Sequence, residues 1–253
     1  MIHSFLLIGQ SNAAGRGIAS EIGPLKTNGG KLKVLRNGRW QTMYRPVNCD
    51  RYFSGVCLAE SFALAYSNDH PEVEVGIIPA ADGGTSLEQW KEGGLLFENA
   101  VNCAKLAMRT SNLVGILWHQ GEADCAEELY PLYKEKFNAI KTALRNEIGL
   151  PDIPFVVGGL GDFLEYCTHS DNLKNYHYVN DALIASTLED EHSAFAPATG
   201  LGANSDNLHF NAKSLYEFGI RYYDAFKQIM NVDLIKSEGT LESDSERREM
   251  EFL

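Results

Sequence analysis

Short apolar runs alternate with longer amphipathic segments along this chain, and this alternation constrains its fold more than any other feature. Continuous apolar runs are typical of parallel strands that are buried on both faces, and helices between them cover those faces. The predicted strands are Ser4–Ile8, Val73–Pro79, Val114–Trp118, Pro154–Val157 and Ser193–Ala196. The predicted helices are Val56–Tyr66, Phe97–Met108, Glu127–Ile148, Leu173–Leu188 and Lys213–Met230. Right-handed crossovers then predict an α/β fold, a three-layer α/β/α doubly wound domain around a five-stranded parallel sheet.

Two regions interrupt the alternation. Residues Ala19–Arg51 contain several glycines and scattered basic residues, which predicts a long loop with a small hairpin. The segment from residue 236 to 253 is short, polar and acidic, and we expect it to be a tail rather than part of the core. A length of 253 residues suits one large α/β domain. We therefore predict a single domain over residues 1–235, followed by the tail.

The charge and the cysteines limit the possible partners and compartments. The formal net charge is −12 and there is no basic run, which argues against nucleic acid and anionic membrane surfaces as partners. Five cysteines without a C-x-x-C pair are typical of free thiols in a reducing compartment. The apolar start of the chain lacks the basic region of a secretory signal, so we interpret it as the first strand. These observations favour a cytoplasmic protein.

Glycine and polar residues follow all five predicted strands. In open α/β sheets, ligands bind outside the carboxyl ends of the strands, so these segments predict a site at one edge of the sheet. The five segments are Gly9–Gly17, Ala81–Ser86, His119–Asp124, Gly158–Asp162 and Asn204–Phe210. The first has neither the Gly-Lys-Ser/Thr ending of a P-loop nor the Gly-x-Gly-x-x-Gly pattern of a dinucleotide site. No nucleotide cofactor is therefore indicated.

Ser11 is a candidate nucleophile, because a glycine two residues earlier lets the chain turn sharply at the end of the strand. The alternative is that Ser11 only caps the next helix, and the motif alone favours neither. A serine hydroxyl needs a base, and the base needs an acid that orients it. Asp206 and His209 are three residues apart and can supply both groups. Taken alone, the pair is better explained by Asp206 capping the last helix with a chance histidine nearby, but a serine at the same edge of the sheet reverses that preference.

An oxyanion formed on Ser11 would need preplaced N–H donors. The Ser11 amide, the Gly83-Gly84 backbone and the Gln120 side chain are candidates, although spacing alone leaves the glycines as a possible turn and Gln120 as a loop residue. His119, Glu122 and Asp124 carry metal-ligand side chains, but their spacing lacks the second histidine of a metalloprotease helix. Glu122 is better explained as a hydrogen-bonding residue.

The combination of motifs resembles the SGNH (GDSL-like) hydrolase superfamily, within it the branch of acetylxylan esterases and sialate O-acetylesterases. The motifs that carry the resemblance are Gly9-Gln10-Ser11-Asn12, Gly83-Gly84-Thr85 with Trp90, Trp118-His119-Gln120-Gly121-Glu122 and Asp206-x-x-His209. The resemblance implies a flavodoxin-like five-stranded sheet and metal-free ester hydrolysis. It also implies a triad of Ser11, His209 and Asp206, an oxyanion hole of Ser11, Gly84 and Gln120, and secondary site residues Gln10, Asn12, Gly83 and Glu122.

The expected function is removal of O-acetyl groups from a small acetylated carbohydrate, either xylan-derived oligosaccharides or sialic acid, without a cofactor. Gln10 and Gln120 depart from the broad superfamily but are typical of the carbohydrate-esterase branch. Two alternatives stay open at this stage. One is a non-catalytic carbohydrate-binding protein that would use Trp40, Trp90 or Tyr44 for stacking. The other is a metal-dependent hydrolase using His119, Glu122 and Asp124.

Overall fold

The structure, a computed structural model, describes residues 1–236. Its strands are Ile2–Gly9 (β1), Leu32–Arg36 (β2), Arg39–Thr42 (β3), Glu74–Pro79 (β4), Asn112–His119 (β5), Phe155–Gly158 (β6) and Ser193–Ala196 (β7). Its α-helices are Ser11–Ala14 (α1), Leu58–Asp69 (α2), Leu87–Trp90 (α3), Leu95–Ala107 (α4), Tyr133–Ile148 (α5), Tyr176–Leu188 (α6), Ala212–Ile229 (α7) and Val232–Lys236 (α8). The predicted acidic tail lies outside the described residues from residue 237 onwards, and the predicted domain boundary at residue 235 stays a prediction.

The seven strands form one sheet in the order β3-β2-β4-β1-β5-β6-β7. The five predicted strands are all present and lie in the order second, first, third, fourth, fifth, which is the flavodoxin-like doubly wound order. β1 pairs in parallel with β4 on one side and β5 on the other. The chain therefore changes its direction of winding at β1, and the crevice between the carboxyl ends of β1 and β5 is the expected ligand site.

The prediction of five strands is wrong, because the hairpin of β2 and β3 extends the sheet. β2 pairs in parallel with β4, with Val34 opposite Ile77, and β3 pairs antiparallel with β2. Val34 and Trp40 are buried, so the hairpin covers the edge of β4 with apolar side chains. The sequence predicted a hairpin in this region, but its glycines and basic residues gave no sign that it joins the central sheet. The sheet is thus mostly, rather than wholly, parallel.

Aromatic side chains fill the two layers between the sheet and the helices. On one face, Phe5 of β1 packs edge-on against Phe62 of α2 and Phe226 of α7, at centroid distances of 4.7 and 5.3 Å. On the other face, Trp118 of β5 lies 5.5 Å from Trp90 of α3 and 5.4 Å from Phe137 of α5. Successive residues of a strand point to opposite faces, so each continuous apolar strand supplies both layers. The predicted three-layer α/β/α arrangement is confirmed.

α7 begins close to the carboxyl edge of the sheet, so the loop of residues 204–210 before it lies at that edge. The Asn211 side chain caps the helix by accepting the Ser214 N–H at 2.9 Å. The amphipathic face of the helix then packs on α2, β6 and β7. Residues 204–210 are therefore held at the sheet edge directly before a well-anchored helix. Within residues 1–236, no helix is long and apolar enough to cross a membrane.

Candidate active site

The end of β1 lies against the end of β5, and only glycine fits at the contact. Gly9 has φ +124°, and a Cβ atom on it would lie 2.0 Å from the carbonyl oxygen of His119. The next residue, Gln10, donates its N–H to that same oxygen at 2.8 Å. The chain turns here into α1, whose first residue is Ser11. This local geometry places the Ser11 hydroxyl at the crevice between the two strands.

Ser11, His209 and Asp206 form a continuous chain of hydrogen bonds. Ser11 Oγ lies 3.0 Å from His209 Nε2, and His209 Nδ1 lies 2.7 Å from Asp206 Oδ2. The other carboxylate oxygen of Asp206 accepts the backbone N–H groups of Leu208 and His209, at 2.9 and 3.0 Å. Burial would raise the pKa of Asp206, but its hydrogen bonds with His209 and Leu208 outweigh burial and lower the pKa. The carboxylate is therefore charged and fixed in orientation beside the imidazole.

Asn12 holds the backbone on both sides of His209. Its Oδ1 accepts the Phe210 N–H at 3.1 Å, and its Nδ2 donates to the Leu208 carbonyl at 3.2 Å. The same Nδ2 donates to Glu122 Oε1 at 2.5 Å. Asn12 thus connects the helix that starts at Ser11 to the loop that carries His209. This contact fixes the separation between the hydroxyl and the imidazole.

Glu122 acts on this loop through Asn12 and not by direct contact with His209. Its Oε1 also lies 3.3 Å from Nε2 of the fully buried His119. Burial alone would raise the pKa of Glu122, but His119 and the hydrogen bond from Asn12 lower it. Glu122 is therefore a buried carboxylate that positions Asn12. Its connection to the loop that carries His209 is therefore indirect, through the Asn12 side chain.

The candidate metal ligands do not converge. His119 pairs with Glu122, whereas Asp124 Oδ2 accepts the Leu87 N–H at 3.0 Å and the Gln120 amide at 2.5 Å. Over the described range 1–236, no group of three or more His, Cys, Asp or Glu side chains is arranged to hold a metal ion. The grouping of His119, Glu122 and Asp124 proposed for the metal alternative is therefore wrong.

Gln120 occupies a different environment from the one expected of an oxyanion donor. It is fully buried, and its Nε2 lies within hydrogen-bond distance of the Thr85 carbonyl, Gln10 Oε1 and Asp124 Oδ2. Its Oε1 accepts the Tyr133 hydroxyl. Both amide hydrogens thus have protein acceptors, and a substrate oxyanion would have to displace one of them. In this structure Gln120 ties together the segments that follow β1, β4 and β5.

Gln10 supports the same junction. Its side-chain oxygen lies 3.3 Å from the Gly121 N–H and 3.4 Å from the Ala123 N–H, in addition to its contact with Gln120. The turn after β5 is therefore fixed by the residue next to Ser11. Gln10 is therefore a positioning residue. Within residues 1–236, the structure shows no hydrogen bond between the Gln10 side chain and the Ser11 hydroxyl.

A buried ion pair that the sequence did not reveal fixes the Gly83-Gly84 turn beside Ser11. Arg16 contacts both oxygens of Asp50, at 3.1 and 2.6 Å, and Asp50 also accepts the Gly83 N–H at 2.9 Å. A Cβ atom on Gly83 would lie 2.5 Å from Arg16 Nη2 and 3.5 Å from Ser11 Cβ. Gly84 itself is exposed, with φ +77°. The ion pair therefore sets where the Gly84 N–H lies relative to Ser11.

Only an arginine within the first strand exit could have drawn attention to this pair. Arg16 lies at the end of the Gly9–Gly17 segment, and its partner Asp50 is 34 positions away in a loop, so no local pattern joins the two.

Two of the three aromatic residues suggested for sugar stacking are corrected by the structure. Trp40 and Trp90 are completely buried in the core, while Tyr44 is 45% exposed.

A cavity of about 300 Å³ opens beside the residues that surround Ser11. Its lining includes Gln10, Gly84, Glu122 and Leu208, together with residues of the segment 170–173. An acyl or sugar group bound there would contact the turn that carries the Gly84 amide. Ser170, Asn172 and Leu173 of the segment before α6 therefore form part of the cavity wall.

A family model described as carbohydrate esterase, sialic acid-specific acetylesterase matches residues 1–228. The chain belongs to this carbohydrate esterase family. The resemblance expected from the sequence is thereby confirmed, as is the assignment of the chain as a carboxylic ester hydrolase.

One curated relative matches this carbohydrate esterase over most of both chains, and two solved structures share its fold. A protein named as a probable carbohydrate esterase of Arabidopsis thaliana is 25% identical over 245 residues, covering 88% of this chain and 89% of its own. A solved structure from Arabidopsis thaliana superposes with a TM-score of 0.80 at 23% identity, over 90% of this chain and 99% of its own. A carbohydrate acetylesterase from Xanthomonas citri gives a TM-score of 0.70 at 19% identity, over 90% of this chain and 56% of its own.

Proposed function

We propose that this carbohydrate esterase removes O-acetyl groups from sugars by a serine mechanism in which Ser11 attacks, His209 transfers the proton and Asp206 orients the imidazole. The observation that carries the proposal is the unbroken contact from Ser11 Oγ through His209 to Asp206. Membership of the carbohydrate esterase family supports the substrate class. The Xanthomonas citri structural neighbour, named as a carbohydrate acetylesterase, supports acetyl as the acyl group.

In the first half of the reaction, His209 Nε2 takes the proton of Ser11 as Ser11 Oγ forms a bond to the acetyl carbonyl carbon. The tetrahedral intermediate collapses when the C–O bond to the sugar breaks. The sugar oxygen leaves with the proton from His209, and the acetyl group stays on Ser11. The charged Asp206 carboxylate stabilises the imidazolium that exists between these two proton transfers.

In the second half, water loses a proton to His209 and attacks the acetyl-enzyme, and acetate leaves as Ser11 regains its proton. The oxyanion in both halves needs donors close to Ser11. The Ser11 N–H is available because the first amides of a helix have no acceptor within that helix. The exposed Gly84 N–H, placed by the Asp50 contact to Gly83, is the second proposed donor.

The decisive experiment compares wild type with Ser11→Ala on p-nitrophenyl acetate. Loss of the nucleophile should lower kcat by at least about 10³-fold, because the triad acts as a unit. Ser111→Ala is a matched control, since Ser111 is also buried but hydrogen-bonds Ser4 and Ala107, near the opposite end of β5. Full activity of Ser11→Ala would overturn the mechanism.

The substrate class requires a second measurement. Acetate release should be measured on O-acetylated sialic acid, on acetylated xylooligosaccharides and on a simple aryl acetate. We expect kcat/KM to be higher on one of the two sugar substrates than on the aryl ester. A kcat/KM that is highest on the aryl acetate, with no release from either sugar, would refute the carbohydrate acetyl ester as substrate while leaving the serine mechanism in place.

A further inference from the structure

We propose that Tyr52 and Phe53 form a sugar-binding surface at the mouth of the active site, where one pyranose ring of the substrate stacks. This inference rests on the proposed function and adds the part of the site that recognises the leaving group. Tyr52 is 98% exposed and Phe53 is 54% exposed. They are adjacent in sequence, and their rings meet edge to face at a centroid distance of 4.9 Å.

Contacts from Phe53 lead directly to Ser11. The guanidinium carbon of Arg16 lies 5.2 Å from the centre of the Phe53 ring. The same guanidinium lies against Gly83, whose missing Cβ would in turn be 3.5 Å from Ser11 Cβ. Two residues, Arg16 and Gly83, therefore separate Phe53 from Ser11. We call the exposed surface of Tyr52 and Phe53 the aromatic ledge.

The segment that carries the aromatic ledge is hydrogen-bonded to the turn at Asp82 and Gly83 and to Asp50. Arg51 donates to Asp82 Oδ1 at 2.7 Å and to the Gly83 carbonyl at 3.0 Å. Ser54 Oγ donates to Asp50 Oδ1 at 2.8 Å. The residues on both sides of the aromatic pair are thus held by side-chain hydrogen bonds, Arg51 to the turn at Asp82 and Gly83 and Ser54 to Asp50. Such a preorganised surface loses little conformational entropy when a ligand binds.

The chemistry of the ledge selects a sugar ring. An aromatic ring has a negative face, and the axial C–H groups of a pyranose form an apolar patch of matching size. Arg16 lies over Phe53, and a cation over a ring fixes its orientation. Exposed aromatic residues beside a reaction centre favour a ligand that is apolar on its faces and polar on its edges. A pyranose fits that description, whereas the acetyl group is too small to cover both rings.

The cavity and the aromatic ledge would hold different parts of the substrate. The cavity is lined by Gly84 and Leu208, whereas Phe53 of the ledge packs against Arg16, which in turn lies against Gly83. An ester has an acyl side and an alcohol side, and its carbonyl carbon must lie at Ser11. The ledge would hold the alcohol, which is the sugar that leaves in the first half of the reaction.

The test measures kcat/KM on an O-acetylated methyl pyranoside and on p-nitrophenyl acetate for wild type, Tyr52→Ala and Phe53→Ala. Loss of aromatic stacking should lower the ratio of sugar to aryl kcat/KM by about 10-fold, mainly through KM. Phe53→Tyr keeps the ring and should keep the ratio. Tyr178→Ala is the matched control, because Tyr178 is also an exposed aromatic residue but stacks on Tyr130 instead.

The outcomes separate this inference from the proposed function. An unchanged ratio in both ledge variants, with wild type active on the sugar ester, overturns the ledge and leaves the esterase mechanism intact. If wild type cleaves neither ester, the proposed function fails, and titration of the methyl pyranoside into wild type and Phe53→Ala decides the ledge. Equal affinity for the two proteins refutes it, and an affinity about 10-fold weaker for the variant supports it.

Discussion

Replacement of Asp50 by Asn would leave the guanidinium of Arg16 buried without a counter-charge. The side chains of Arg16 and Asp50 are only 6% and 3% exposed, and their closest approach is 2.6 Å. Removal of one partner from a buried ion pair costs about 3–5 kcal/mol, because the remaining charge stays desolvated. We therefore expect Asp50→Asn to lower the free energy of unfolding at pH 7 by about 3 kcal/mol, as measured by urea denaturation.

A neighbouring ion pair supplies the control. The side chains of Arg51 and Asp82 approach almost as closely, to 2.7 Å, but they are 42% and 34% exposed. Exposed pairs contribute about 0–1 kcal/mol, so Asp82→Asn should change stability far less than Asp50→Asn. Equal effects of the two substitutions would refute the argument from burial.

The pH dependence of the Asp50→Asn effect follows from its pKa. Burial would raise that pKa, but hydrogen bonds from Arg16, Ser54 and Gly83 lower it below the usual value of 3.8. A lowered folded-state pKa gives stability that is present above pH 3.8 and is lost as pH falls through the folded pKa. The difference between wild type and Asp50→Asn should therefore shrink in strong acid. A difference that grows as pH falls would contradict this assignment.

The same substitution should also reduce activity. Asp50 accepts the Gly83 N–H, so its change would shift the turn that carries the Gly84 amide, the proposed oxyanion donor. Loss of one oxyanion donor lowers kcat by about 10²–10³-fold, and a displaced donor should lose part of that. We expect kcat on p-nitrophenyl acetate to fall by about 10-fold in the folded variant. An unchanged kcat would show that Asp50 stabilises the fold without positioning the donor.

Three further predictions test other parts of the structure. Asn12→Ala removes the hydrogen bonds that hold Leu208 and Phe210, so kcat should fall by about 10-fold or more while Ser11 stays in place, and an unaltered kcat would contradict a positioning role. Burial lowers the pKa of His3 from 6.5 to about 4, so wild type should lose about 3 kcal/mol of stability between pH 7 and pH 4. His3→Phe should reduce that loss, and an identical pH dependence would refute it. Treatment with a chelator should leave the rate on p-nitrophenyl acetate unchanged, because no step of the proposed mechanism uses a metal, and a rate restored only by added metal would contradict the mechanism.

Local patterns predicted the central part of the fold well. The strand Ser193–Ala196 has the bounds that the sequence predicted, and the other four predicted strands differ by at most two residues at either end. Continuous apolar runs identify buried strands because both faces are covered. The predicted helix from Glu127 begins instead at Tyr133, after a short 3₁₀ turn over Tyr130–Leu132. The addition of β2 and β3 to the sheet was missed. Val34 of β2 pairs with Ile77 of β4, and a pairing between strands so far apart in the chain leaves no local signal in the sequence.

The site was predictable where chemistry dictates residue type and unpredictable where packing decides. The triad residues could be singled out because a serine mechanism needs those three side chains at the same edge of the sheet, and the structure does bring them into contact. The environment of Gln120 and the pairing of Arg16 with Asp50 depend on which buried acceptors surround an amide or a guanidinium. Those contacts join segments far apart in the chain, so no spacing rule reveals them.

Labelling with a fluorophosphonate, followed by peptide mapping, tests the nucleophile most directly. The reagent forms a covalent bond only with an activated serine, and the geometry assigns that activation to the 3.0 Å contact between Ser11 and His209. One adduct per chain should form on Ser11, and His209→Ala should slow its formation by at least about 10³-fold. An adduct on another serine, or equally fast labelling without the imidazole, would contradict a mechanism centred on Ser11.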